Sequence, residues 1–258
     1  MMMKKAFLSL ICSGVFIIAA CGESREKPAQ ARTDTTRHSA QAGRSAVAFG
    51  QGGQIKMLYD RRQRPHAVYL DGKVHIVFNA GGEIGAKPKA PTKPMAITYD
   101  PATRRFSEVV TLGPASRDHH YGPVIWADET GYLHVLFGCH RTPGTHLISK
   151  RPGSIGTGLD AWRQGAQIAP GISYPTIFRV SDNRELIYYR TEGHTSSWTY
   201  RITDDNGKTW TGPARDVTDM DIKGRFEWSS YHTVLPLSLI HISEPTRPLY
   251  ISYAVFCL

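Results

Sequence analysis

The chain has 258 residues, 41% hydrophobic and 21% charged, with 24 glycines, 16 prolines and 31 Lys plus Arg against 22 Asp plus Glu. That composition excludes a wholly disordered chain and a protein that spans a membrane many times. Gly and Pro recur at short intervals and no long stretch keeps a helical period, which excludes a helical bundle and predicts an all-β domain of many short strands.

At the N-terminus, Lys4 and Lys5 precede the apolar run Ala6 to Ala20, too short for a spanning helix and laid out like an export signal. It ends in Ile18-Ala19-Ala20-Cys21, which resembles a bacterial lipobox. The expectation is a signal peptide over 1–20, a lipidated Cys21, and a tether over 21–47 rich in Ser, Thr, Gln, Arg and Ala. Such a protein is exported and held by its lipid at the outer membrane or cell surface, or stays periplasmic. A plain secretory signal is the alternative.

Three segments from 48 to 236 share one pattern. Pro65 to Gly72 leads into Lys73 to Phe78, Pro123 to Gly131 into Tyr132 to Phe137, and Pro175 to Asn183 into Arg184 to Tyr189. Each reads as a strand, a tight Asp/Gly/Asn turn and a second strand, which is a β-hairpin. The three prolines stand 58 and 52 residues apart, a period that suits one four-stranded propeller blade. Outer strands are predicted at Met95 to Tyr99 with Val109 to Leu112, His146 to Ser149 with Gly165 to Ile168, and Trp198 to Thr203 with Trp210.

Thr203 to Trp210 reads TDDNGKTW, which resembles the Asp-box hairpin turn S/T-x-D-x-G-x-T-W and marks fold rather than chemistry. A further blade is predicted to begin near Phe226 to His232, giving about four blades in all. Leu237 to Arg247, LSLIHISEPTR, reads as the in-frame translation of a transposase-type sequencing adapter, and Ile251 to Leu258 as the adapter segment expected next. Residues 237–258 are therefore expected to carry no function, the natural product being cut near Pro236.

Without Lys4, Lys5 and Arg247 the 31 basic residues become 28, and without Glu244 the 22 acidic ones become 21, so positions 22 to 236 carry a net charge of +7. A polyanionic partner is favoured. Cys12 lies in the signal, Cys21 at the lipid site and Cys257 in the adapter, so Cys139 stands alone and no disulfide framework is predicted.

In a hairpin, residues entering the first strand and leaving the second lie at the same end. His120 precedes the Pro123 strand and His140 follows the Phe137 strand; Tyr174 and Arg190 hold the matching places one blade later. The four are predicted to converge near the central channel. His75 and His134, at one repeated hairpin position, are read as packing residues, and Asp71, Asp128 and Asp182 as turn formers.

Asp118 to Pro123 (DHHYGP), Phe137 to His140 (FGCH), Ser173 to Pro175 (SYP) and Tyr188 to Arg190 (YYR) resemble, in the same order, the BNR-repeat polysaccharide lyases, specifically the propeller ulvan lyases of families 24 and, more closely, 25. The resemblance covers about residues 50 to 236. It implies a seven-bladed propeller, monomeric when complete, that cleaves ulvan, a sulphated rhamnose and uronic-acid polysaccharide, by β-elimination. The missing C-terminal part puts ring closure and half of the cleft in question. The family's two histidines, tyrosine and arginine map onto His120, His140, Tyr174 and Arg190.

The chemistry suits those residue types. Removing the C5 proton of a uronic acid requires neutralising the adjacent carboxylate, which Arg190 can do with a two-point contact. His120 is assigned as base, Tyr174 as acid, and His140 as second neutraliser or as base for the other C5 epimer. His119, Arg141 and His194 are the candidate substrate-binding residues. No metal or cofactor is needed for the chemistry, and no nucleic acid is implied. A zinc site from Asp118, His120, Cys139 and His140 lacks a recognised ligand spacing. A sialidase-like Asp-box glycosidase and a non-catalytic glycan-binding surface lipoprotein are the alternatives.

Overall fold

The computed structural model describes residues 60, 62–81, 90–193 and 196–214, with Leu58 and Val234 as isolated positions. All belong to one compact unit, Val47–Leu258. The signal, Cys21 and its tether, His194, the blade expected near Phe226 to His232 and the adapter-like tail lie outside the described residues.

The first sheet contains β1 (Ala67–Leu70), β2 (Lys73–Ala80), β3 (Lys93–Asp100) and β4 (Arg105–Phe106) in that order, with β5 (Val110–Thr111) also paired to β3. Next come β6 (Val124–Ala127), β7 (Leu133–Phe137), β8 (His140–Thr142), β9 (Thr145–Ser149) and β10 (Trp162–Gln164). Four of these form the second sheet, β6-β7-β9-β10, while β8 leaves it. β8 instead joins β11 (Ile172–Ser181), β12 (Arg184–Arg190) and β13 (Trp198–Thr203), making the third sheet β8-β11-β12-β13. All ladders between these strands are antiparallel. The described chain is all-β, and its sheets are successive blades of a β-propeller.

The sequence shows why the blades stack. β6 (VIWA) and β7 (LHVLF) are buried at every residue, because their sheet is covered on both faces. One apolar cluster joins Val77, Ala96 and Leu112 of blade 1 to Ile125, Val135 and Trp162 of blade 2. Another joins Val124, Trp126 and Leu136 of blade 2 to Ile172, Ile177 and Ile187 of blade 3. Each fully buried Val, Leu or Ile side chain among them contributes about 1.5–3 kcal/mol relative to exposure.

The three predicted hairpins are present as β1-β2, β6-β7 and β11-β12. The outer strand of blade 2 is displaced: it runs Trp162–Gln164 rather than over 165–168, with Trp162 opposite Ser149. Buried Trp162 anchors it by donating its indole N–H to Ile155 O at 3.0 Å. Trp210 lies outside the strands, half-buried against the cluster between blades 2 and 3. The Asp-box turn forms as its motif requires. Lys208 and Thr209 N–H donate to Asp205 Oδ1 at 3.0 and 2.9 Å, and the hydroxyls of Thr203 and Thr209 donate at 2.8 and 2.6 Å.

His75 and His134 are interior, at 1% and 0% exposure. His75 Nδ1 meets Thr98 Oγ1 at 2.9 Å. His134 lies between His146 Nε2 at 3.0 Å and Asp128 Oδ2 at 3.2 Å, with Trp126 stacked on both imidazoles. Asp128 also forms its turn, accepting from Thr130 and Tyr132 N–H.

Candidate active site

Three backbone devices bring the predicted residues together. Asp118 caps the 3-10 turn His119–Tyr121 by accepting from His120 N–H at 2.9 Å, and this turn holds His119 and His120 at the entrance to β6. β8 crosses from blade 2 to blade 3 and places His140 opposite Ser173 of β11. On the other side Ser173 pairs with Arg190, the last residue of β12. Tyr174 itself has φ 57 and sits where the β11-β12 register shifts between Ser173 and Thr176. A tyrosine held in the left-handed region costs of order 1–3 kcal/mol, and such residues cluster at functional sites.

The resulting side chains touch. The His120 ring is 4.1 Å from that of His140 and 5.7 Å from that of Tyr174, while His140 is 6.1 Å from Tyr174. Arg190 places its guanidinium carbon 4.7 Å from the Tyr174 ring centre. Tyr174 and Arg190 are fully buried, whereas the His120 and His140 side chains are 17% and 19% exposed. The cluster therefore presents two imidazoles to solvent over a buried tyrosine and arginine.

One carboxylate serves both imidazoles. Asp118 Oδ1 lies 2.5 Å from His120 Nδ1, and Oδ2 lies 2.7 Å from His140 Nδ1. Partial burial would raise the Asp118 pKa, but the hydrogen bonds from His120 and His140 hold it well below the usual carboxylate range. The carboxylate is ionised throughout the neutral range.

Of the proposed binding residues, His119 packs against His120 with the rings tilted and their centres 3.8 Å apart, and burial lowers its pKa. Arg141 is exposed on β8 at φ 64, its backbone N–H donating to Ser173 Oγ at 3.0 Å. Three further residues join from the segment before β1. Arg62 stands with its guanidinium carbon 4.7 Å from the Tyr174 ring centre, and its Nη2 is 3.5 Å from His119 Nε2. Asp60, 2% exposed, grips Arg62 through Nε at 2.7 Å and through Nη2. Gln63 Nε2 donates to His120 O at 2.5 Å. The parallel bridge between Arg64 and Thr176 brings this segment alongside β11. Arg62 and Gln63 precede Pro65 as His120 precedes Pro123, so the rule that located His120 would have located them.

The zinc alternative fails in its cysteine. Cys139 is fully buried in the cluster between blades 2 and 3, and burial pushes its thiol pKa far up. It is sealed in by Gly144, at φ 70, where a Cβ would come 2.4 Å from the sulfur. Asp118, His120 and His140 do gather ligand atoms, as do Asp60, His119 and His120. A cavity of about 370 Å³, lined by Asn79, Pro94, Tyr121, Phe137 and Thr142 among others, does not include the catalytic candidates.

A model of BNR repeat-containing family members matches residues 91–235. An ulvan lyase of Alteromonas sp. (strain LOR) is 23% identical over 175 residues, covering 58% of this chain and 33% of that protein. The ulvan lyase PL25 of Pseudoalteromonas sp. (strain PLSV) is 26% identical over 133 residues, covering 43% and 26%. The solved structure of a polysaccharide lyase family PL25 ulvan lyase superposes with a TM-score of 0.54 at 21% identity, over 66% of this chain and 41% of that one. The same family's structure bound to -[GlcA(1-4)Rha3S]- gives 0.53 at 19% identity, over 65% and 41%. The chain thus spans about a third or less of the curated relatives it matches.

Proposed function

This chain belongs to the BNR repeat-containing family, and on that premise we propose that it is the N-terminal part of a polysaccharide lyase that cleaves ulvan, a sulphated uronic-acid polysaccharide, by β-elimination. The observation that carries this reading is the contact of His120, His140, Tyr174 and Arg190 in one cluster at the mouths of adjacent blades. β-Elimination at a uronate needs a base for the C5 proton, an acid for the departing glycosidic oxygen, and cations for the carboxylate. His120 is the base, Tyr174 the acid, and Arg190 with His140 the neutralising pair. Arg62, held by Asp60 beside Tyr174, adds a positively charged group on the same side. The relatives named for ulvan lyase activity support the substrate class.

The protein is further inferred to be a lipoprotein anchored through Cys21, monomeric when its ring is complete. The test incubates ulvan with the product of the uninterrupted gene beside the 258-residue chain. Ultraviolet-absorbing unsaturated uronate ends are the expected product. Retention of the polysaccharide without cleavage would establish a binding protein instead, and release of sialic acid from a sialoglycan would establish a sialidase.

A further inference from the structure

We propose that Asp118 is a positioning residue that fixes His120 and His140 together in the Nδ1–H tautomer, so that each ring presents Nε2 as its unprotonated nitrogen. An ionised carboxylate carries no proton and can only accept. With Oδ1 at 2.5 Å from one Nδ1 and Oδ2 at 2.7 Å from the other, both ring nitrogens facing Asp118 must therefore bear hydrogen. The backbone N–H of His120 donates to the same Oδ1 at 2.9 Å, so the carboxylate is held from three sides and cannot rotate to serve one ring alone.

Two consequences follow for the chemistry. A base must offer a lone pair, and the Nδ1–H tautomer places that lone pair on the far side of the ring from Asp118, for His120 and His140 alike. Because both rings, 4.1 Å apart, bond the same carboxylate in the same way, either can offer its Nε2 lone pair as the base, which suits a polysaccharide containing both C5 epimers. Around the pair stand His119 on the same turn and Tyr174 on β11, with Arg62 before β1 and Arg190 on β12 lying against the Tyr174 ring.

The tautomer assignment stands independently of the lyase reading, whereas its catalytic meaning rests on it. The experiment records long-range proton–nitrogen spectra of the 258-residue chain labelled with 15N-histidine, assigned through His120→Gln and His140→Gln. Both rings are expected as Nδ1–H at high pH. Asp118→Asn offers one oxygen and one NH2, so one ring should keep its tautomer while the other changes to Nε2–H. A wild-type ring in the Nε2–H form, or two rings unchanged in Asp118→Asn, would overturn the proposal. In the uninterrupted gene product, Asp118→Asn should lower kcat by roughly 10²- to 10⁴-fold with little change in KM. A kcat within a few-fold of wild type would overturn the catalytic part. A wild type that cleaves nothing while both rings hold the Nδ1–H form would overturn the lyase reading and support the tautomer assignment.

Discussion

Asp205→Ala isolates the contribution of the Asp-box to the fold. The Asp205 carboxylate accepts four hydrogen bonds within the turn, two from backbone amides and two from hydroxyls. Bonds to a charged acceptor stabilise by about 1.5–3 kcal/mol each when buried. Lys208 and Thr209 are exposed, so water recovers much of the amide loss, while the buried Thr203 hydroxyl still accepts from Gly207 N–H at 3.0 Å. A net loss of about 2–4 kcal/mol is expected, or roughly 5–12 °C in Tm for a domain of this size. Partial burial raises the Asp205 pKa, but the hydrogen bonds from Thr209 and Thr203 outweigh it and lower the value below 3.8. The stabilisation is therefore fully present above that pH and fades as pH falls through the lower, folded-state value. Urea unfolding of wild type and variant at neutral and acidic pH should show a gap that closes on acidification. A neutral-pH difference under about 0.5 kcal/mol, or one that grows in acid, would refute the reasoning.

Arg190→Lys in the uninterrupted gene product should lose most lyase activity, because an ammonium cannot reproduce a planar two-point contact; near-normal turnover in a folded variant would contradict the assignment. Burial lowers the His146 pKa to about 3, so its neutral form costs stability as pH falls below the ordinary 6.5 and the unfolded chain takes up the proton. Unfolding free energy should accordingly decline from about pH 6.5 downward, with a shallower slope in His146→Gln; equal slopes would count against this account. Cys21→Ser should move the protein from the membrane fraction to the periplasm or medium, and unchanged fractionation with unchanged lipid labelling would refute the anchor.

Much of the site was legible because a hairpin's ends are fixed by its turn. Gly72, Gly131 and Asn183 located the turns, and counting back to the strand mouths placed His120, His140, Tyr174 and Arg190 together. The same counting applied before Pro65 would have reached Arg62. The pairing of β8 was not legible, since His140–Thr142 has three residues with no alternation and its partner lies about thirty positions on. Nor was the role of Asp118, because its second bond spans 22 residues and depends on that pairing. The left-handed backbone of Tyr174 was equally hidden, as no glycine or asparagine marks it. The Gly165 boundary failed because buried Trp162 fixed the edge strand first.

Propellers are assembled from interchangeable units, and a single blade can ordinarily be duplicated or removed as one block. β8 breaks that modularity, for its residues lie between β7 and β9 of blade 2 in the chain yet hydrogen-bond to blade 3. A copy of the blade 2 segment alone would carry both imidazoles but leave β8 without its partner strand, and a copy of blade 3 alone would carry neither. The smallest inheritable block that retains the site is thus a doublet, and a permuted chain with its new ends between Phe137 and Ile172 would sever it. Recombination among relatives should respect that seam and exchange the two blades jointly.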